Sequence, residues 1–305
     1  MRPLLRVLLR LLGALALVVA VAAAAVFFRS SRQLHRRLTA RVTAVPVLRA
    51  PAARSNGRHI AAIRGCFACH GADLGGAKVM DDPAMGRVYG SNLTTGRGGR
   101  GATLSNADWV RAVRHGIGAD GRPLVVMPSR DYAGLSDEDL GAVLGYVESV
   151  PPVDRTVPTI AVGPVLRMLL AVGKVRLAAD QIDQNESGPV AAVPVGINPE
   201  YGRYLASTCS GCHNPHFSGG KIADGPPSWP PAANLTLGPG SAVLGWSEAD
   251  FIRALRQGTT PAGRAINPVM PRAFGHMSDV ELLALWSYLR TVPAAATGKR
   301  PVTAL

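Results

Sequence analysis

The chain has 305 residues, long for one small domain and comfortable for two, and its 47% hydrophobic content suffices for packed cores. Only 5% of residues are aromatic, and no run of alternating apolar and polar residues is long enough to argue for a sheet, so the expected fold is all-α. The formal net charge of +13 is nearly all arginine, spread along the chain without interleaved stacking aromatics; this excludes nucleic acid as the partner and favours acidic proteins and anionic membranes.

Leu11 to Phe28 is an uncharged apolar run of 18 residues. As a helix it would span roughly 27 Å, close to the ~30 Å hydrocarbon core of a bilayer. Residues 1–28 therefore read as a transmembrane anchor, with a signal peptide as the alternative. The small residues Val21-Ala22-Ala23-Ala24 offer a cleavage site, but the apolar run continues past them. Arginines are denser after the run than before it, which by the positive-inside rule would leave the body of the chain in the cytoplasm. Residues 29–53 are basic and proline-spaced, and read as a stalk along lipid headgroups or a disordered linker.

Two five-residue stretches follow, Cys66-Phe67-Ala68-Cys69-His70 and Cys209-Ser210-Gly211-Cys212-His213, and they use all four cysteines of the chain. Cys-x-x-Cys-His is the attachment pattern of a c-type haem. Two thiols on one turn add to the two vinyl groups of a porphyrin, and the following His ligates the iron. A redox dithiol would need a surrounding strand–helix alternation that is missing, and a shared zinc would not require a His after each second Cys. Haem attachment also argues for export, against the flanking charge, and places the body of the chain in the periplasm.

The motifs belong to a long internal repeat. Asn92-Leu93-Thr94 matches Asn234-Leu235-Thr236, and Asp108 to Arg114 matches Asp250 to Arg256. The period implies tandem domains, 54–154 and 197–297, joined by a linker (155–196) and followed by a tail (298–305). In each copy a helix leads into the haem motif, near Asn56 to Gly65 and Pro199 to Thr208. A middle helix opens with capping boxes at Ser105 and Ser247 and ends at Gly116 and Gly258. A last helix is capped at Ser136 and Ser278 and is stopped by Pro151 and Pro293. In the linker, Thr159 to Ala179 is too short to span a bilayer. It reads as a helix packed on the first domain, lying on the membrane or clasping the domains together.

Met127-Pro128 and Met270-Pro271 each lie 57 residues after the motif histidine, in matched loops between the middle and last helices. A thioether is a soft neutral ligand for haem iron, so Met127 and Met270 are the expected sixth ligands of His70 and His213. The other methionines read as core filler. His35, His59, His115, His216 and His276 have no repeat partner and are not expected on iron. Asn92 and Asn234, with their threonines, are candidates to donate hydrogen bonds to a haem propionate, the alternative being a plain turn.

With these residues in place, each half resembles a class I cytochrome c domain: a glycine-containing leading helix, Cys-x-x-Cys-His, Asn-x-Thr, a middle helix, Met-Pro and a last helix. The resemblance covers about residues 54 to 297. The tandem with its anchor is similar to membrane-bound dihaem cytochromes c, relatives of the cytochrome c subunits of periplasmic alcohol, aldehyde and gluconate dehydrogenases. It implies two covalently attached haem c groups and single-electron transfer from a periplasmic donor, such as a dehydrogenase, to a respiratory-chain acceptor such as a terminal oxidase. It implies no catalysis at the irons. The alternative is a dihaem cytochrome c peroxidase, which needs one open iron. The matched methionines argue for two closed ones.

Overall fold

A computed structural model describes residues 2–185, 188–223, 225–226 and 228–301. The last four residues of the expected tail lie outside that set. The chain begins with a 34-residue helix, α1 (Arg2–His35), apolar and long enough to cross a membrane. At 1.5 Å per residue it is about 51 Å long, well beyond a hydrocarbon core. One face of its last turns packs on the protein, where Ser30 and Leu34 are buried.

The first domain contains α2 (Pro51–Ile63), α3 (Cys66–His70), α4 (Asn106–His115), α5 (Ser129–Tyr132) and α6 (Asp137–Ser149). A helix in the linker, α7 (Pro164–Ala171), precedes the second domain, which contains α8 (Pro199–Ala206), α9 (Ser210–His213), α10 (Glu248–Gln257) and α11 (Asp279–Leu289). The capping boxes form at Ser105 and Ser247 as the sequence predicts, each side chain accepting from the N–H of the aspartate three residues on. Gly116 and Gly258 close those helices in the left-handed conformation, at φ 67° and 68°. In each domain the leading and last helices cross at a glycine. A Cβ on Gly57 would lie 2.0 Å from the Ala142 carbonyl oxygen, and one on Gly202 1.9 Å from that of Ala284. Any side chain would force the helices apart.

The fold is mostly helical, with one small sheet among the described residues that the sequence did not signal. β1 (Lys78–Asp82) and β2 (Gly86–Tyr89) form an antiparallel hairpin, and β3 (Ala161–Val162) from the linker adds antiparallel to β2. Strands of two to five residues carry too few alternations to read, and the Asp82 side chain sets the turn by accepting from the Ala84 and Met85 N–H groups.

The expected stalk is ordered against the protein rather than a free linker. Residues 36–50 form an extended strap along the first domain. Leu38 N–H donates to Gly121, Leu48 N–H to Gly141, and Val45 exchanges two hydrogen bonds with the Asn106 side chain (3.0 and 2.9 Å). Val45 is 3% exposed and packs with Val110, Leu140 and Leu144. Gly141 and Gly145 let the strap approach α6, since a Cβ there would meet the Pro46 and Leu48 carbonyl oxygens at 2.1 and 1.9 Å. The valines at 42, 45 and 47 were the legible sign of a buried strap. The arginines between them obscured it.

α7 packs against the end of α1, with Leu34, Leu166, Leu170 and Leu177 forming a small core of their own. It therefore sits beside α1 rather than between the two haem domains.

Candidate haem sites

Both Cys-x-x-Cys-His motifs fold as a short helical turn, so the two thiols and the imidazole of each leave one compact segment. No disulfide joins the cysteines. Burial pushes the Cys66 thiol up to about 11 and the Cys209 thiol up to about 12, so they stay protonated at neutral pH. Among the described residues no three His, Cys, Asp or Glu side chains come together as a metal site.

The histidines are set up alike. His70 Nδ1 lies 2.8 Å from the Ser91 carbonyl oxygen, and His213 Nδ1 lies 2.8 Å from that of Ala233. A carbonyl only accepts, so Nδ1 carries the proton and Nε2 keeps its lone pair. Burial lowers the pKa of both rings, outweighing the carbonyl bonds, and keeps them neutral. A neutral imidazole with its tautomer fixed by a backbone carbonyl is the state that ligates iron. The donor set therefore fits a c-type haem.

The loop after each motif doubles back in a repeated and strained form. Leu74 and Phe217, at matched positions, adopt positive φ (55° and 57°), a conformation costing on the order of 1–3 kcal/mol for residues other than glycine. Gly76 and Gly219 follow, at φ 88° and 68°, and donate their N–H to the His70 and His213 carbonyl oxygens at 2.7 and 3.0 Å. Leu93 and Leu235 close the loop with N–H bonds to Leu74 and Phe217, both 2.8 Å. These four positions were missed from sequence, although the two glycines share the register of the motifs.

The asparagines have a different role from the one expected. Asn92 gives both amide hydrogens to the Val153 and Arg155 carbonyl oxygens (2.7 and 3.0 Å), and its Oδ1 accepts from Thr94 N–H and Oγ1 (2.9 and 2.8 Å). Asn234 repeats this with Ala295, Pro239 and Thr236. Both are buried, at 0 and 1% exposure, with no amide hydrogen left for a propionate. Each instead latches the loop behind the histidine to the segment that follows the last helix.

The methionine loops also match. The chain turns back on the end of the middle helix through Leu124 N–H to Gly116 and Ile266 N–H to Gly258, both 2.7 Å. Met127 follows three residues later and Met270 four. Both are half-buried and pack against the core of their own domain.

The two sites meet across the domain interface. α5, just after Met127, packs on Ser207–Cys209 and α9, while α2 packs on Arg272–His276, just after Met270. Arg64, two residues before Cys66, is 5% exposed and reaches into the second domain. Its guanidinium donates to Ser207 Oγ (3.0 Å) and to the Tyr204 and Leu205 carbonyl oxygens (3.4 Å each), and lies 5.1 Å from the Tyr204 ring centroid. Tyr132 Oη donates to the Arg64 carbonyl at 2.8 Å, and His59 Nε2 contacts the Glu281 carboxylate at 2.8 Å. Arg64 and His59 were not singled out for this role from sequence, because an interdomain contact leaves no local pattern.

Two packed domains, each built around a Cys-x-x-Cys-His turn, define a tandem cytochrome c. Residues 52–147 match the family model described as cytochrome c oxidase, cbb3-type, subunit III, and residues 200–293 match that of cytochrome c. The chain thus holds two cytochrome c domains and carries two covalently bound haem c groups.

Its relatives include the fructose dehydrogenase cytochrome subunit of Gluconobacter japonicus, 29% identical over 274 residues (81% of this chain, 54% of that one). The gluconate 2-dehydrogenase cytochrome c subunit of Pantoea cypripedii is 29% identical over 277 residues (78% and 59%). A diheme cytochrome c-type protein of Cereibacter sphaeroides is 26% identical over 271 residues (79% and 86%). The chain spans a little over half the length of the two dehydrogenase subunits. It is an electron-transfer protein related to such subunits.

Proposed function

We propose that the protein carries single electrons between a periplasmic donor of the dehydrogenase class and a respiratory-chain acceptor, anchored by α1 with both haem domains in the periplasm. Cys66 and Cys69 hold one haem, Cys209 and Cys212 the other. His70 and His213 are the proximal ligands, Met127 and Met270 the distal ones. Each haem supplies a one-electron iron couple; the protein supplies burial, ligand choice and a fixed separation. The observation that carries this reading is the paired Nδ1-to-carbonyl bond, which presents a neutral Nε2 in both domains. The dihaem peroxidase alternative needs an open iron, and the relatives give it no support.

A redox-titrated visible spectrum of the purified protein tests the proposal. Two haems per chain, two potentials and a far-red thioether-to-ferric band are expected. Met127→Ala should give one high-spin haem of lowered potential, and an unchanged spectrum would remove Met127 from the site. A reporter fused to the C-terminus tests the orientation: activity in the cytoplasm would overturn the periplasmic placement.

A further inference from the structure

The face of α7 turned away from α1 is apolar and, among the described residues, unpartnered. Met168 is 46% exposed, Val172, just past the helix end, is 59% exposed, and Pro164 lies one turn earlier on the same stripe. The height of this stripe along the anchor is fixed by Arg167. Its guanidinium stacks on the Phe27 ring at 4.7 Å and donates to Ser30 Oγ and Ser31 Oγ at 3.2 and 3.1 Å. Phe27 belongs to the apolar run, and Phe27 and Phe28 are themselves 59 and 64% exposed. The α7 stripe thus continues the lipid-facing surface of the anchor at the level where its apolar run ends. From Pro164 to Ala179 there is no acidic residue, Lys174 just past α7 is exposed, and Arg29 and Arg32 are exposed around the foot of α1. That charge matches anionic headgroups around a shallow apolar insertion.

We infer that α7 is a second membrane contact, with Met168 and Val172 immersed in the lipid interface beside α1. This rests on the anchor reading of α1. Two contacts, unlike one, fix the tilt of the first haem domain against the bilayer and forbid it to spin about the anchor.

The test uses the full haem-loaded chain in anionic vesicles, with both haems reduced and diamagnetic. Spin labels are placed through M168C and V172C, with L17C in mid-span and L244C on the second domain as references. All four positions are exposed, so the cores are untouched. The readout is the ratio of collision with oxygen to collision with a water-soluble nickel chelate. The inference expects ratios at 168 and 172 several-fold above that at 244 and below that at 17. Ratios at 168 and 172 equal to that at 244, with 17 still lipid-like, would overturn the second contact and leave the anchor standing. Shielding of 168 and 172 from both probes would mean coverage by protein and would also overturn it. A water-like ratio at 17 would remove the anchor reading, and this inference with it.

Discussion

The second haem domain is organised around one continuous core, in which Leu205, Leu282, Leu285 and Leu289 pack with Phe251, Met277 and Trp286. The first domain divides its core in two, Val110, Leu140 and Leu144 on one side and Ile60, Tyr132 and Leu135 on the other. It completes the first of these with Val45 from the strap. The difference extends to the haem motif. The crossing glycine lies nine residues before the first cysteine in domain 1 (Gly57, Cys66) and seven before it in domain 2 (Gly202, Cys209). The two additional residues fit Arg64 and Gly65, the latter at φ 75°. The second domain thus gathers its apolar side chains into a single core, which Ile63 of the first domain joins, while the first splits its core and completes one half with the strap.

The largest effects separate the two cores. Leu140 and Leu282 occupy matched positions and are both 0% exposed. Leu282→Ala should cost about 3–5 kcal/mol and melt domain 2 as a unit in calorimetry. Leu140→Ala should cost about 2–3 kcal/mol, because the cavity can collapse onto the strap, and should expose residues 36–50 to protease. Equal losses with no new cleavage would erase the distinction.

Next comes the junction. Arg64→Met should cost about 2–4 kcal/mol, since buried carbonyls lose their donors, and should split one thermal transition of the haem-loaded protein into two. A single unshifted transition would show that Arg64 does not couple the domains. Asn92→Ala and Asn234→Ala should each cost about 2–3 kcal/mol while leaving the spectrum of bound haem in place. A change in propionate vibrations without loss of stability would restore the haem-facing role.

The smallest effect is the interdomain clasp. Hydrogen bonding to Glu281 raises the His59 pKa above its usual 6.5 against the opposing effect of burial. Burial pushes the Glu281 carboxyl up, but His59 and the Ser278 cap outweigh it and hold it below its usual 4.5. The clasp is therefore fully present between about pH 4.5 and 6.5. It is lost upward as pH passes the raised His59 pKa, and downward as pH falls through the lowered Glu281 pKa. His59→Gln should flatten the alkaline side of the melting profile; a profile unchanged by that substitution would leave the clasp without energetic weight.

Local chemistry was legible in the sequence. Capping boxes, closing glycines and Cys-x-x-Cys-His each depend on residues within a turn of one another, and each appears where the pattern put it. Repeat register extended that reach to the methionine loops. The strap, Arg64 and His59 depend on partners roughly 60 to 220 positions away, which no periodicity records. The asparagines show the limit in another way. Their matched positions marked them as internal, but only the structure shows that carbonyls already occupy their donors.

The strap removes slack. A free segment of fifteen residues would let the haem domains wander by roughly 20 Å. Bonded along its length to Gly121, Asn106 and Gly141, it leaves the first domain almost no play relative to the foot of α1. On the membrane-anchored reading, this cytochrome is a fixed post rather than a swinging arm. The traffic must come to it, and the rate of delivery becomes a property of the visitor's diffusion in or along the bilayer.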